Sequence, residues 1–200
     1  MFRTFLVAVA TVTACLINET SAEEPVLPGE SFVSPNGQYC LQLEVIDGLL
    51  RFVIKNRKTK GTDDSVQSTG PLYLHWATNS KSFVTVEHIS KGSYGRVVYL
   101  VDDRWVSIEV KPPFKGKMEY GVIGLQLEPD RVHYKFAVTK LSEGWAPLGY
   151  TFCDLDVNLA TGEVGNIKST SASEAEFANA PDEPMCVPKM ARERHHDLCN

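Results

Sequence analysis

Between Leu72 and Val110 the chain alternates short apolar runs with turn formers, and this leaves little choice of fold. Leu72–Trp76, Ser82–Ile89, Val97–Val101 and Trp105–Val110 each have strand length. Val84 and Val86 share one face of the second run, and Val106, Ile108 and Val110 share one face of the fourth. That period of two belongs to a half-buried strand and cannot form a helical stripe. Asn79-Ser80, Lys91–Arg96 and Asp102-Asp103 separate the runs and supply turn residues.

The flanks continue the pattern. Ser34-Pro35-Asn36-Gly37 is a turn, because proline presets φ and Asn-Gly tolerates positive φ. Tyr39–Val45 alternates, Asp47-Gly48 is a strong hairpin signal, and Leu50, Phe52 and Ile54 form the return strand. Lys58–Gly70 is polar and reads as a mobile loop. Pro112-Pro113 ends the fourth run, and Val122–Leu127, Val132–Val138 and Phe152–Leu159 are further strands. Ser, Ala, Glu and Pro dominate from Lys168 to Pro184, which predicts a surface segment with a short helix around Ser173–Asn179. The predicted class is all-β: an antiparallel meander of hairpins forming one bent sheet or two packed sheets, with a short irregular or helical C-terminal tail.

The N-terminus reads as an address. Arg3 precedes the apolar run Phe5–Cys15, and Thr20-Ser21-Ala22 offers small residues before a cut. This predicts a signal peptide over 1–22, a β-rich domain over 23–167 and a tail over 168–200, in a secreted or periplasmic protein. No later run is apolar enough to span a bilayer, so the mature chain is expected to lack a transmembrane segment. Val12-Thr13-Ala14-Cys15 resembles a lipobox with Val in place of the usual Leu, which makes Cys15 the candidate for a lipid anchor. Cys40, Cys153, Cys186 and Cys199 are the disulfide candidates of an exported chain. Three connectivities are open to them, among them Cys40 with Cys153 and Cys186 with Cys199.

Two segments repeat. Ser34-Pro35-Asn36-Gly37-Gln38-Tyr39-Cys40-Leu41-Gln42-Leu43 aligns with Ala77–Val86, 43 residues later, and Glu128–Tyr134 is a weaker third echo. These openings resemble the "Ser-Pro-Asp-Gly-Lys" turn of TolB-like and WD40-like β-propeller repeats. Trp76 matches the tryptophan that often precedes that turn, and Thr161-Gly162-Glu163 resembles a blade-ending turn. The resemblance covers about half the chain and implies four-stranded blades. Two or three blade-like units are too few for a closed ring, and the Gly-His and Trp-Asp signatures are absent.

Chemistry is sparse. A net charge of −5 supplies no excess of phosphate-neutralising residues, which argues against a nucleic-acid partner. Lys55, Arg57, Lys58 and Lys60 cluster, as a solvated strand end does. Asp154-Leu155-Asp156-Val157-Asn158 starts like a calcium loop but lacks the next glycine, and Cys186, His195, His196 and Cys199 match no standard zinc spacing. No Gly-x-Ser-x-Gly elbow occurs. No cofactor, metal or catalytic residue is therefore assigned. The expected function is non-catalytic binding of a protein or cell-envelope component, with loops Lys58–Gly70 and Lys91–Arg96 carrying recognition. Tyr94, Arg96, Trp105 and Trp145 are the candidate binding residues: an aromatic exposed on a sheet face or loop tip suits protein or sugar binding, although side chains as large as Tyr94, Trp105 and Trp145 are more often buried core. The alternative is a small exported hydrolase with a dispersed site around His75, His88 or His133.

Overall fold

A computed structural model describes residues 27–180. Signal peptide, Cys15, Cys186, Cys199, His195 and His196 lie outside them. The described chain is almost entirely β, in three successive four-stranded meanders and one short C-terminal helix. The first unit is β1 (Ser31–Val33), β2 (Tyr39–Ile46), β3 (Leu49–Asn56) and β4 (Gly61–Gln67). The second is β5 (Pro71–Trp76), β6 (Ser82–Ile89), β7 (Gly92–Val101) and β8 (Arg104–Val110). The third is β9 (Met118–Leu127), β10 (Arg131–Leu141), β11 (Pro147–Asn158) and β12 (Val164–Ala172), followed by α1 (Glu174–Ala178). Within every unit sequential strands pair antiparallel.

The tight turns follow their residue types. Asp47-Gly48 and Asp102-Asp103 all have positive φ and close two-residue hairpins at Ile46–Leu49 and Val101–Arg104. The two turns that open β2 and β6 are copies in their hydrogen bonds. Gly37 N–H donates to Ser34 O (2.8 Å) and Ser80 N–H to Ala77 O (3.0 Å), with φ of 70° and 56° at Gly37 and Ser80. Asn36 Oδ1 accepts from Gln38 N–H (2.9 Å), as Asn79 Oδ1 accepts from Lys81 N–H (2.8 Å). The turn before β10 is shorter: Glu128 N–H donates to Arg131 O, and no residue there has positive φ.

A second repeated turn lies between the third and fourth strands of units one and three. Asn56 Oδ1 accepts from Lys58 N–H (3.0 Å) and Asn158 Oδ1 from Ala160 N–H (2.8 Å). Lys60 and Gly162 both have positive φ and donate to Asn56 O and Asn158 O. Thr59 and Thr161 then accept from Gly61 and Glu163 through their hydroxyls, both at 3.3 Å.

Two seams hold the units together. Leu74, Trp76, Phe83, Val98 and Trp105 of the second unit pack on Tyr39, Leu41, Leu43, Phe52 and Ile54 of the first. From its other face Val84, Val86, Val97 and Tyr99 meet Val132, Tyr134, Phe136, Val138, Leu155 and Val157 of the third. The middle unit is thus covered on both faces. One parallel residue pair, Gly92 with Tyr120, joins β7 to β9 and makes units two and three a single eight-stranded sheet. That sheet bends sharply, since the Tyr134 ring lies on the backbone of Gly95 and its hydroxyl donates to Arg96 O (3.2 Å).

Several expectations need correction. Lys58–Gly70 is not a loop: Gly61–Gln67 is β4, an edge strand whose polar faces meet solvent. Lys91–Arg96 is not a loop either, because Ile89 pairs with Gly92 and only Ser90 and Lys91 turn. The Ser-rich segment after Lys168 begins as strand, so β12 runs through position 167 to Ala172. The short helix is where it was expected, capped by Ser173 and Glu176, with Phe177 against Tyr150 and Phe152. Cys40 is disulfide-bonded whereas Cys153 is a free buried thiol, so these two do not pair. Burial pushes the Cys153 thiol above its ordinary pKa and keeps it protonated. No helix of the described residues is long and apolar enough to cross a membrane.

Candidate functional site

The four predicted binding residues separate into two environments. Tyr94, Arg96 and Trp105 belong to the seam between units one and two. Trp105 is 7% exposed and sits in an aromatic cluster with Tyr39 (5.2 Å between ring centres), Trp76 (6.0 Å) and Phe83 (6.2 Å). It is core, the commoner place for so large a side chain, and it is not available as a binding residue. Tyr94 is buried as well, because it points from β7 into the same seam as Val98.

At the end of that seam lies Glu87, a carboxylate with no solvent exposure. Its two oxygens accept from Arg96 Nε, Thr85 Oγ1 (3.0 Å), Thr69 N–H (2.8 Å), Ser68 Oγ (3.1 Å) and the Tyr94 hydroxyl (3.1 Å). Arg96 also donates from Nη1 to Ser107 Oγ (2.9 Å) and from Nη2 to Tyr94 Oη (2.6 Å). A buried ion pair is tolerable when its lone pairs and protons are satisfied in this way. Burial raises the Tyr94 pKa, with Glu87 adding to the rise while bonds from Thr69 and Arg96 oppose it. Burial alone would lower the Arg96 pKa, but the Glu87 carboxylate holds it above its ordinary value. The network ties the β4–β5 connection to β6, β7 and β8, and the Glu87 carboxylate at its centre is closed off from solvent.

Trp145 is the exception. It lies on the β10–β11 connection and is 54% exposed. Ser142 N–H donates to Ala146 O (2.8 Å), Ala146 N–H to Ser142 Oγ (3.0 Å) and Trp145 N–H to Ser142 O (3.0 Å), which fixes the loop. Trp145 has φ of 67°, a conformation that costs a bulky residue about 1–3 kcal/mol. Lys91 Nζ stands 4.2 Å and Lys117 Nζ 5.2 Å from the ring centre. Glu119 pairs with Lys91 (2.9 Å) and Glu143 with Lys117 (2.8 Å). Leu148, three residues on, is 71% exposed. Two of these partners, Lys91 and Lys117, come from other connections, so no local sequence signal could have joined them to Trp145.

The three histidines are not brought together. His75 is buried in β5, His88 is exposed in β6, and His133 is on the outer face of β10. His133 Nδ1 lies 2.7 Å from Asp156 Oδ1, and Nε2 lies 3.3 Å from Asp154 Oδ1. Asn166 Nδ2 donates to the other Asp156 oxygen (2.6 Å). The Asn166 bond, and after it the His133 bond, lower the Asp156 pKa. The carboxylates flank opposite nitrogens of one ring, an arrangement that cannot converge on a metal, and no metal-binding group occurs among the described residues. Asp154 and Asp156 alternate along β11, which leaves the calcium-loop reading without a loop.

No protein-family model matches the chain, and no curated protein matches it. One solved structure it resembles is AtxE2 isopeptidase in its apo form, at 11% identity and a TM-score of 0.36. The match covers 76% of this chain and 30% of that one, and is too distant to carry any argument.

Proposed function

We propose that this chain is an exported, non-catalytic β-domain that binds a protein or an envelope component through the surface around Trp145. The carrying observation is the strained, exposed indole with the Lys91 and Lys117 ammonium groups over its ring. Strain retained at an exposed aromatic is a reason to suspect function, since a glycine there would relieve it. The apolar run after Arg3 supports export, with Cys15 as a candidate lipid anchor. The duplicated turn at Ser34–Gly37 and Ala77–Ser80, within four-stranded units, supports kinship with TolB-like and WD40-like blades stacked as an open set.

The test is affinity capture with residues 23–200 folded under oxidising conditions, run beside the Trp145→Ala variant. A saturable partner that is lost with Trp145→Ala is the expected result. A partner retained equally by both proteins would move the site elsewhere, and a blank from the folded protein would set the binding reading aside.

The His133–Asp156 pair favours a second reading, a small hydrolase, because a carboxylate on Nδ1 orients a general base. Its Nε2 faces Asp154 and no hydroxyl or thiol nucleophile. Turnover of an ester, peptide or glycoside substrate that disappears with His133→Ala would establish it.

A further inference from the structure

We infer that the Trp145 surface docks on an anionic lipid surface; the inference rests on the binding role proposed for that surface. Three observations favour lipid. First, the tip presents apolar side chains outward, Trp145 and Leu148, which gain little from a soluble polyanion but a good deal from the headgroup–acyl boundary. Tryptophan is the side chain most at home there. Second, the two charged groups that stand over the indole are both cations, on a chain whose net charge is −5, and further lysines lie on the connections that supply them. Lys91 sits in the β6–β7 turn, Lys111, Lys115 and Lys117 in the β8–β9 connection, and Lys140 at the end of β10 beside Phe114 (4.9 Å). Glu109, Glu119 and Glu143 are the opposing carboxylates. Third, ammonium groups already lie over the indole, so a sugar ring or nucleobase would have to displace one to stack on that face.

The lysines reach across the patch to exposed glutamates in weak surface pairs, and can exchange them for lipid phosphates at little cost. Each basic side chain near an anionic leaflet contributes about 1 kcal/mol at most, so binding should be weak, reversible and salt-sensitive.

The molecule carries its own reporter. Of its three tryptophans, Trp76 and Trp105 are buried, so a change in accessible indole emission arises from Trp145. Residues 23–200 are titrated with vesicles of phosphatidylcholine alone, with phosphatidylcholine and phosphatidylglycerol mixed one to one, and with soluble dextran sulfate. A blue shift and protection from acrylamide quenching with the anionic vesicles only, reversed by salt, is the expected result. Lys91→Gln and Lys117→Gln should each weaken vesicle binding about fivefold, and Leu148→Asp should abolish the blue shift. An equal response to dextran sulfate would overturn the lipid assignment in favour of a soluble polyanion. No response to anionic vesicles would overturn it outright, while a partner captured through Trp145 would still leave the binding role standing.

Discussion

The seam at Glu87 and the tip at Trp145 are built from the same materials, aromatic rings and side-chain cations, yet they do opposite things. In the seam, Arg96 is held by a carboxylate with no access to water, and Tyr94 completes the cage. At the tip, Lys91 and Lys117 rest on an indole that water reaches. What differs is the second layer. The seam has a whole β-sheet on the other side, and the tip has none. An aromatic–cation pair read from sequence therefore says nothing about function until the layer that covers it is known.

The largest expected effects test the buried side of this contrast. Arg96→Met leaves the Glu87 carboxylate buried and uncompensated, and should destabilise by about 3–5 kcal/mol in chemical denaturation. Glu87→Leu combined with Arg96→Met should recover most of that loss; a double variant no better than the single would show that the network's individual hydrogen bonds matter more than its charge. Trp105→Ala should cost about 3–5 kcal/mol, since the ring fills the centre of an aromatic cluster. If it instead cost nothing and removed a partner, the seam would be a binding surface after all.

Gly95→Ala sharpens the packing argument in the other seam. A Cβ there would lie 2.4 Å from the Tyr134 ring, which is itself fully buried, so about 1–3 kcal/mol should be lost through overpacking. Asp156→Asn tests the exposed polar face. The folded pKa of Asp156 is below its ordinary 3.8, so its carboxylate adds stability above that value. The contribution is lost as pH falls from 3.8 through the folded value. The gap in melting temperature between wild type and variant should be small at pH 7, equivalent to less than about 1 kcal/mol, and should close below that range. The smallest stability effect, with the opposite sign, is expected at the tip. Trp145→Gly relieves a positive φ and should leave stability unchanged or raise it by up to about 1 kcal/mol, while removing partner binding.

The hairpins were legible because their signals are local. Asp47-Gly48 and Asp102-Asp103 name their own turns, and Ser82–Ile89 reads as a strand to its ends. The edge strands were not. Thr62, Asp63, Asp64 and Ser65 in β4 show no apolar alternation, because Val66 is the one side chain that this edge strand packs against the core. β12 is hidden for the same reason, being exposed along nearly its whole length. Thr161-Gly162-Glu163 reads as a turn, but its likeness to the Asn56 turn is hidden because the two share only an asparagine, a threonine and a positive-φ position. The site divided in the same way. Tyr94 and Arg96 looked available because Glu87, Thr69 and Ser107, which enclose them, lie on other segments. Trp145 sits in a loop with no neighbouring strand to bury it, and its exposure followed.

Gly92 decides how many sheets this protein has. A Cβ at that position would stand 1.8 Å from the carbonyl oxygen of Tyr120, the residue it pairs with across the junction of β7 and β9. Any side chain would push those strands apart and unfasten the only ladder pair that joins the second and third units among the described residues, leaving those two units held by side-chain packing, by the bonds from Val122 N–H to Ser93 Oγ (2.9 Å) and from the Tyr134 hydroxyl to Arg96 O (3.2 Å), and by the Lys91–Glu119 pair. A single hydrogen atom in place of a side chain thus acts as a clasp: it lets a row of stacked modules be one continuous fabric at a point where the chain has otherwise finished one module and begun the next.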